Sequence, residues 1–214
     1  MEVSKRKLYL IGAGGLAREI ESWISLDKVF LKKWKIIGFL DRDLNSIHEY
    51  PTDYSVVGIA ETFDFQPGDA AIMCIANPLI KKRIVDAIGR KVEFISYISD
   101  KAIITKFTKI GEGVVICPNC VISTNCIVED YVTINCGCII GHDCIVGEFS
   151  SLMPHIDLGG QVKIGKGIFL GTKTTVIPKK HIKDQITVGA GSVVIRNLNK
   201  EGTYFGNPAS LLKF

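Results

Sequence analysis

What this chain lacks narrows it first. Among 214 residues there are only four histidines, the formal net charge is a mild +4, and no apolar run approaches the length that crosses a bilayer. Basic residues are scattered except at Lys5, Arg6, Lys7 and at Lys32, Lys33, so there is no nucleic-acid footprint and these clusters read as solvated surface. Lys5 to Lys7 ahead of Leu8 to Ala17 imitates a secretion signal. Glycines interrupt that stretch, however, and Arg18 and Glu19 end it, so a cytoplasmic chain is expected. No Pro/Gly-rich linker divides the sequence, and hydrophobic and charged fractions are those of a soluble globular protein.

What is present is a period. From Ile98 to Val194 every sixth position is aliphatic: Ile98, Ile104, Ile110, Ile116, Ile122, Val128, Ile134, Ile140, Val146, Leu152, Leu158, Ile164, Leu170, Val176, Ile182, Val188 and Val194. Neither a helix nor an alternating strand has period six. A solenoid does: each side is a short strand plus a corner, three sides close a coil of eighteen residues, and coils stack by strand pairing. Four residues beyond each aliphatic the side chain is usually small or β-branched, as at Val114, Cys120, Cys126, Val132, Cys138, Cys144 and Ser150, which suits a narrow triangular core. Gly111, Gly141, Gly147, Gly159, Gly165, Gly171 and Gly189 follow the aliphatic, and the expectation is that corner dihedral angles demand them.

Seven cysteines raise the question of zinc or disulfides. Cys120, Cys126, Cys138 and Cys144 occupy the small inward position and are expected as core fillers, stacked in pairs eighteen apart, with no disulfide in a reducing compartment. The same structural reading is given to Cys74, Cys117 and Cys136.

The first ninety-odd residues follow other rules. Strand candidates are Lys7 to Ile11, Lys35 to Leu40, Ala70 to Ala76 and Val92 to Tyr97, with helices after Gly15 and over Asn77 to Gly89. Gly12-Ala13-Gly14-Gly15-Leu16-Ala17 lies between a strand and a helix start, where free N–H groups cradle phosphate, and Asp41 ends the second strand where a ribose hydroxyl would bind. A complete dinucleotide site takes two such halves; only one fits, which counts against NAD. The bland alternative is that these glycines merely let strand and helix pack closely.

The period is the hexapeptide motif, and the chain resembles the left-handed parallel β-helix acyltransferases. Joined to Gly12 to Ala17, Phe39-Leu40-Asp41 and Ile75-Ala76-Asn77, it resembles the sugar acetyltransferases related to sialic acid O-acetyltransferase and the UDP-4-amino-sugar N-acetyltransferases of bacterial glycan synthesis. The resemblance implies a small Rossmann-like parallel α/β domain (1–96) holding a nucleotide-sugar acceptor, then a left-handed parallel β-helix (97–214). It further implies a homotrimer that binds acetyl-CoA between protomers as co-substrate and needs no metal. Acceptor contacts carry over to Gly12, Gly14, Gly15, Leu16, Asp41 and Asn77. Leu16 stands where the family has histidine and Ala76 where it has glycine, which leaves the acceptor open.

Acetyl transfer needs a base for the attacking amine or hydroxyl and donors for the tetrahedral oxyanion. His142 sits at a corner with Asp143 beside it to orient the ring, and the surrounding Asn135 to Cys144 segment resembles the family's catalytic one. Eighteen residues on is Gly160, whose bare amide is the candidate oxyanion donor; a polar corner residue and a structural glycine are the plain alternatives. His155, thirteen residues past His142, cannot share its column, while His48 and His181 are expected at the surface. The resemblance implies a pantetheine wall along Gly160, Gly171, Thr172, Pro178, Gly189 and Ala190. Gly206-Asn207-Pro208-Ala209 resembles the closing motif, although Ser210 replaces the basic residue that commonly follows. Two other functions are weighed: a zinc enzyme on the same helix, whose ligand arrangement His142, His155 and His181 do not match, and a non-catalytic binding scaffold, motivated by Leu16 and Ala76.

Overall fold

The computed structural model describes residues 5–213. Its first part runs β1 (Arg6–Ile11), α1 (Gly15–Leu26), α2 (Phe30–Lys33), β2 (Trp34–Leu40), β3 (Val56–Gly58), β4 (Ala70–Met73), α3 (Pro78–Ile88) and β5 (Glu93–Phe94). The strands make one parallel sheet in the order β3-β2-β1-β4-β5. Leu8 to Ile11 and all of β4 are buried on both faces, as a covered parallel sheet requires. α1 turns Ala17, Ile20 and Ile24 inward at helical spacing. Two expected strands are shorter than the sequence indicates. β4 stops at Met73, and the Val92 to Tyr97 strand is split because the chain changes partners: Ile95 N still donates to Ala71 O, whereas Tyr97 N donates to Val114 O. No helix among the described residues is long and apolar enough to cross a membrane.

From Tyr97 to Val194, strands of two residues, or three at Ile186–Val188, recur every six residues and pair in parallel with strands eighteen away, as in Val121, Ile139 and Asp157. The strands stack into three faces. Face one carries Tyr97–Ile98, Val115–Ile116, Thr133–Ile134 and Ser151–Leu152; face two carries Ile103–Ile104, Val121–Ile122, Ile139–Ile140 and Asp157–Leu158; face three carries Lys109–Ile110, Ile127–Val128, Ile145–Val146 and Lys163–Ile164. From Ile116 to Val194 each aliphatic of the period is at most 2% exposed. Ile98 is 37% exposed, and Ile104 and Ile110 are only partly covered, because the first coil has a stacked neighbour on one side alone.

The corner glycines have a different reason from the expected one. Left-handed backbone falls two residues later, at Asn125, Asp143, His155 and Gln161 among others, while Gly141 and Gly159 do not adopt it. A Cβ on Gly141 would stand 2.7 Å from Gly160 N, and one on Gly159 would stand 2.6 Å from Pro178 N. Close stacking of successive coils, not φ, excludes a side chain there.

The α/β part sits on face one. Tyr97 and Val115 are buried in one cluster with Ala17, Ile20 and Ile24 of α1, while Phe94, Tyr131 and Phe149 stack beside α3. All seven cysteines are free, and the four at inward positions are buried in the solenoid core.

Candidate active site

His142 and Asp143 occupy the corner between faces two and three. Their backbone is pinned from both sides: Asp143 N donates to Thr124 O of the coil below at 3.0 Å, and Gln161 N of the coil above donates to His142 O at 2.8 Å. Asp143 holds φ +60, a region aspartate tolerates, which turns its carboxylate back onto its neighbour. Nδ1 of His142 lies 2.6 Å from Asp143 Oδ2, and Asp143 Oδ1 accepts from Asn125 Nδ2 at 2.7 Å. These bonds, Asn125's first and His142's second, hold the Asp143 carboxyl below its ordinary value. A carboxylate on Nδ1 selects the tautomer with the proton there and leaves Nε2 as a lone-pair acceptor.

That Nε2 lies over Gly160. A Cβ built on Gly160 would collide with His142 Nε2 and stand 2.7 Å from Cε1, so the imidazole occupies the space a side chain would take. Among the described residues no acceptor engages the Gly160 N–H. A proton acceptor and a free amide thus face the same solvent-open edge, with the His142 side chain 56% exposed.

The expected pantetheine wall is divided. Gly160 and Pro178 share the His142 corner, since Lys179 N bonds Gly160 O. Gly171, Thr172, Gly189 and Ala190 stack on the corner between faces one and two, where a Cβ on Gly171 would meet Ala190 N at 2.6 Å. The two sets are separated by the width of face two. His155 is on that other corner, leaning over Gly137, whose Cβ would stand 2.6 Å from the ring; His48 and His181 are exposed.

The glycine turn opens into a cavity of about 480 Å³ lined by Gly12, Gly14, Gly15, Leu16, Asp41 and Ala76 together with Arg42, Glu61 and Arg83. Gly12 must be glycine: φ is +98 and a Cβ would meet Ile75 Cγ1 at 2.8 Å. Gly14 and Gly15 have nothing within 4 Å of a built Cβ, so a ligand can approach the backbone, and α1 begins there without a side-chain cap or an acidic first turn. An uncapped helix start with two guanidiniums nearby favours an anion. Asp41 has a structural duty: Oδ2 accepts Ala13 N at 2.8 Å and Oδ1 accepts Asp43 N at 3.0 Å, which fastens the turn. Burial alone would raise the Glu61 carboxyl, but hydrogen bonds from its own backbone and from Arg42, 2.7 Å away, hold it low. Asn77 is not in this cavity. Its Oδ1 caps α3 through Leu79 N and Ile80 N, and it lines a neighbouring cleft with Gln185, Thr187 and Glu201 that adjoins the first at Ala76.

Sequence reasoning missed Asn125, Arg42, Glu61 and Arg83. Asn125 was within reach, being eighteen residues before Asp143. The other three come from separate elements of the α/β part and carry no spacing signal.

Two family models match the chain. The one described as GMPPB C-terminal domain covers residues 82–191, more than half of the 214, and the one described as PglD N-terminal domain covers residues 7–88. Among solved structures, PerB from Caulobacter crescentus, in complex with CoA and GDP-perosamine, is 26% identical with a TM-score of 0.85 over 97% of each chain. The acetyltransferase domain of PglB from Neisseria gonorrhoeae is 24% identical with a TM-score of 0.87, over 97% of this chain and all of that one. WeeI from Acinetobacter baumannii is 20% identical with a TM-score of 0.70, over 96% of this chain and 99% of that one. Through its solenoid the chain belongs to the GMPPB C-terminal domain family, with a PglD-type domain in front of it, and over 97% of its length it is similar to PerB.

Proposed function

We propose that the chain transfers acetyl from acetyl-CoA to an amino or hydroxyl group of a nucleotide-linked sugar for a bacterial surface glycan. The observation that carries this is His142, with Nδ1 held by Asp143 and Nε2 poised over the bare amide of Gly160. In this reading Nε2 takes the proton as the acceptor nitrogen or oxygen attacks the thioester carbonyl. Gly160 N–H steadies the oxyanion, the C–S bond breaks, and the imidazolium returns the proton to the departing thiolate. The nucleotide lies in the cavity of Gly12, Gly14, Gly15 and Leu16, its phosphates toward the α1 start, Arg42 and Arg83. PerB, solved with CoA and a GDP-sugar, supports both substrate classes.

The division of the site supports a homotrimer. Residues 5–94 pack on face one and the His142 corner is opposite that face, so within one chain the acceptor cavity and the base lie across the solenoid from each other. Face two presents Ile103 at 59% and Ile139 at 51% exposure. Three copies packed around an axis through face two bring the His142 corner of each against the Gly171 and Ala190 corner of the next, beside that copy's Leu16 turn. The divided wall becomes one groove, which makes residues 1–96 and 97–214 partners across a subunit boundary. The cytoplasm, where seven unpaired cysteines persist reduced, is the compartment for such an enzyme.

The test is a screen of GDP- and UDP-linked amino sugars and sialic acids with acetyl-CoA, followed by free thiol release. Absence of thiol release with all of these acceptor classes, together with no acetyl-CoA binding at millimolar concentration, sinks the reading in favour of a scaffold.

A further inference from the structure

Lys81 on α3 is fully buried, and its Nζ donates to Tyr131 O, Thr133 Oγ1 and Ser151 Oγ at 2.9 Å each and to Ser150 O at 3.4 Å. All four acceptors are neutral and belong to two successive coils of the solenoid. Among the described residues, every hydrogen bond between residues 5–94 and the solenoid from Tyr97 onward is made by this one ammonium. The rest of the contact is apolar or aromatic: α1 on Val115 and Cys117, Phe94 on Tyr131, and the exposed Lys82 ammonium 5.5 Å from the centre of the Phe149 ring. Apolar contact is non-directional and tolerates sliding and rotation, whereas a buried donor loses several contacts at once if its acceptors move.

The same helix lines the acceptor cavity. Ile80, Arg83 and Ile84 face that cavity, and Ile80 and Arg83 are the immediate neighbours of the turn that carries Lys81. We propose that Lys81 is a positioning residue, a polar peg that sets the angle at which α3 and its cavity are presented relative to the catalytic coils. The proposal rests on the reading of that cavity as the acceptor site. Replacing a buried ion by an apolar side chain of similar length is often neutral for stability, so loss of position and loss of fold are separable here.

The experiment compares wild type with Lys81→Met, using acetyl-CoA and either GDP-perosamine or a UDP-linked amino sugar. The expected result is a drop of roughly tenfold in kcat/KM for the sugar, with the protein folded at the assay pH and acetyl-CoA affinity unchanged, since small misplacements far from the chemistry cost rate. Amide exchange through Val92 to Ile98, the segment joining the two parts, should quicken. Unchanged sugar kinetics in a folded Lys81→Met protein overturn the proposal, as does an equal fall in sugar kinetics, acetyl-CoA affinity and thermal midpoint. If Lys81→Met does not fold, Thr133→Val and Thr133→Ser decide by the same criteria, the serine variant keeping wild-type kinetics. If wild type acetylates none of the probes, the acceptor reading fails, and the amide exchange alone judges the peg: unaltered exchange overturns it.

Discussion

In the solenoid, each inward side chain meets the residue eighteen positions away, as Ile122, Ile140 and Leu158 do; in the α/β part, Leu8 meets Ile36 and Ala70, at separations no rule foretells. The difference shows in what each region contributes. The repeat delivers an imidazole, a carboxylate beside it and a free amide in known vertical order, because position along the axis is counted by sequence. The α/β sheet gathers Arg42 from the end of β2, Glu61 from the loop after β3 and Arg83 from α3 into one cavity, because strands far apart in sequence end together. A repeat is suited to holding a fixed reaction geometry, and an open parallel sheet to varying what is held.

The contrast can be broken most severely at His142. His142→Ala should lower acetyl transfer by roughly 10² to 10⁴ with unchanged folding, while Arg83→Glu should abolish acceptor use and leave acetyl-CoA binding intact. If the two regions meet across a subunit boundary, mixed oligomers of these two inactive chains recover activity; continued inactivity in mixtures places the reaction within one chain.

Next in size is the core. Ile140→Ala should cost about 2 to 5 kcal/mol in urea unfolding, and Ile98→Ala under about 1 kcal/mol, because only the former opens a cavity. Equal losses would mean that the first coil is covered in solution.

Lys81 sharpens the comparison through pH. Burial pushes its ammonium down to about 7. The unfolded chain therefore binds more protons than the native state between about pH 7 and the ordinary lysine range, and stability rises with pH across that window. Wild type minus Lys81→Met should show this gain, at most about 1.4 kcal/mol per pH unit, in denaturant melts at about pH 6 and about pH 9. A flat difference means that the amine is not desolvated.

The smallest effect is expected at Asn125. Asn125→Ala removes the leading hold on Asp143, so the carboxyl titrates nearer its ordinary value in carbon-detected NMR, and turnover falls several-fold while the acceptor KM stays constant.

Legibility in the sequence followed the same divide. The solenoid, its buried positions from Ile116 to Val194 and the pairing of His142 with Asp143 and Gly160 were readable, since a fixed period converts distance in sequence into height in the column. The purpose of Gly141 and Gly159 was misread, because a glycine in sequence does not say whether φ or a close neighbour requires it. Asp41, expected to meet ligand, lines the cavity and also ties down the turn; the second duty was not legible, because only coordinates show which N–H groups are within reach.

By itself the order of residues determined the coil, the strand register and the vertical arrangement of the His142 corner, because all three follow from local pairing repeated every eighteen residues. Tertiary structure alone decided which face the α/β part covers, that Lys81 of α3 hydrogen-bonds into two coils of the solenoid, and that the cavity and His142 fall on opposite sides of one chain. Those outcomes depend on the shapes of two surfaces meeting, which no spacing along the chain encodes.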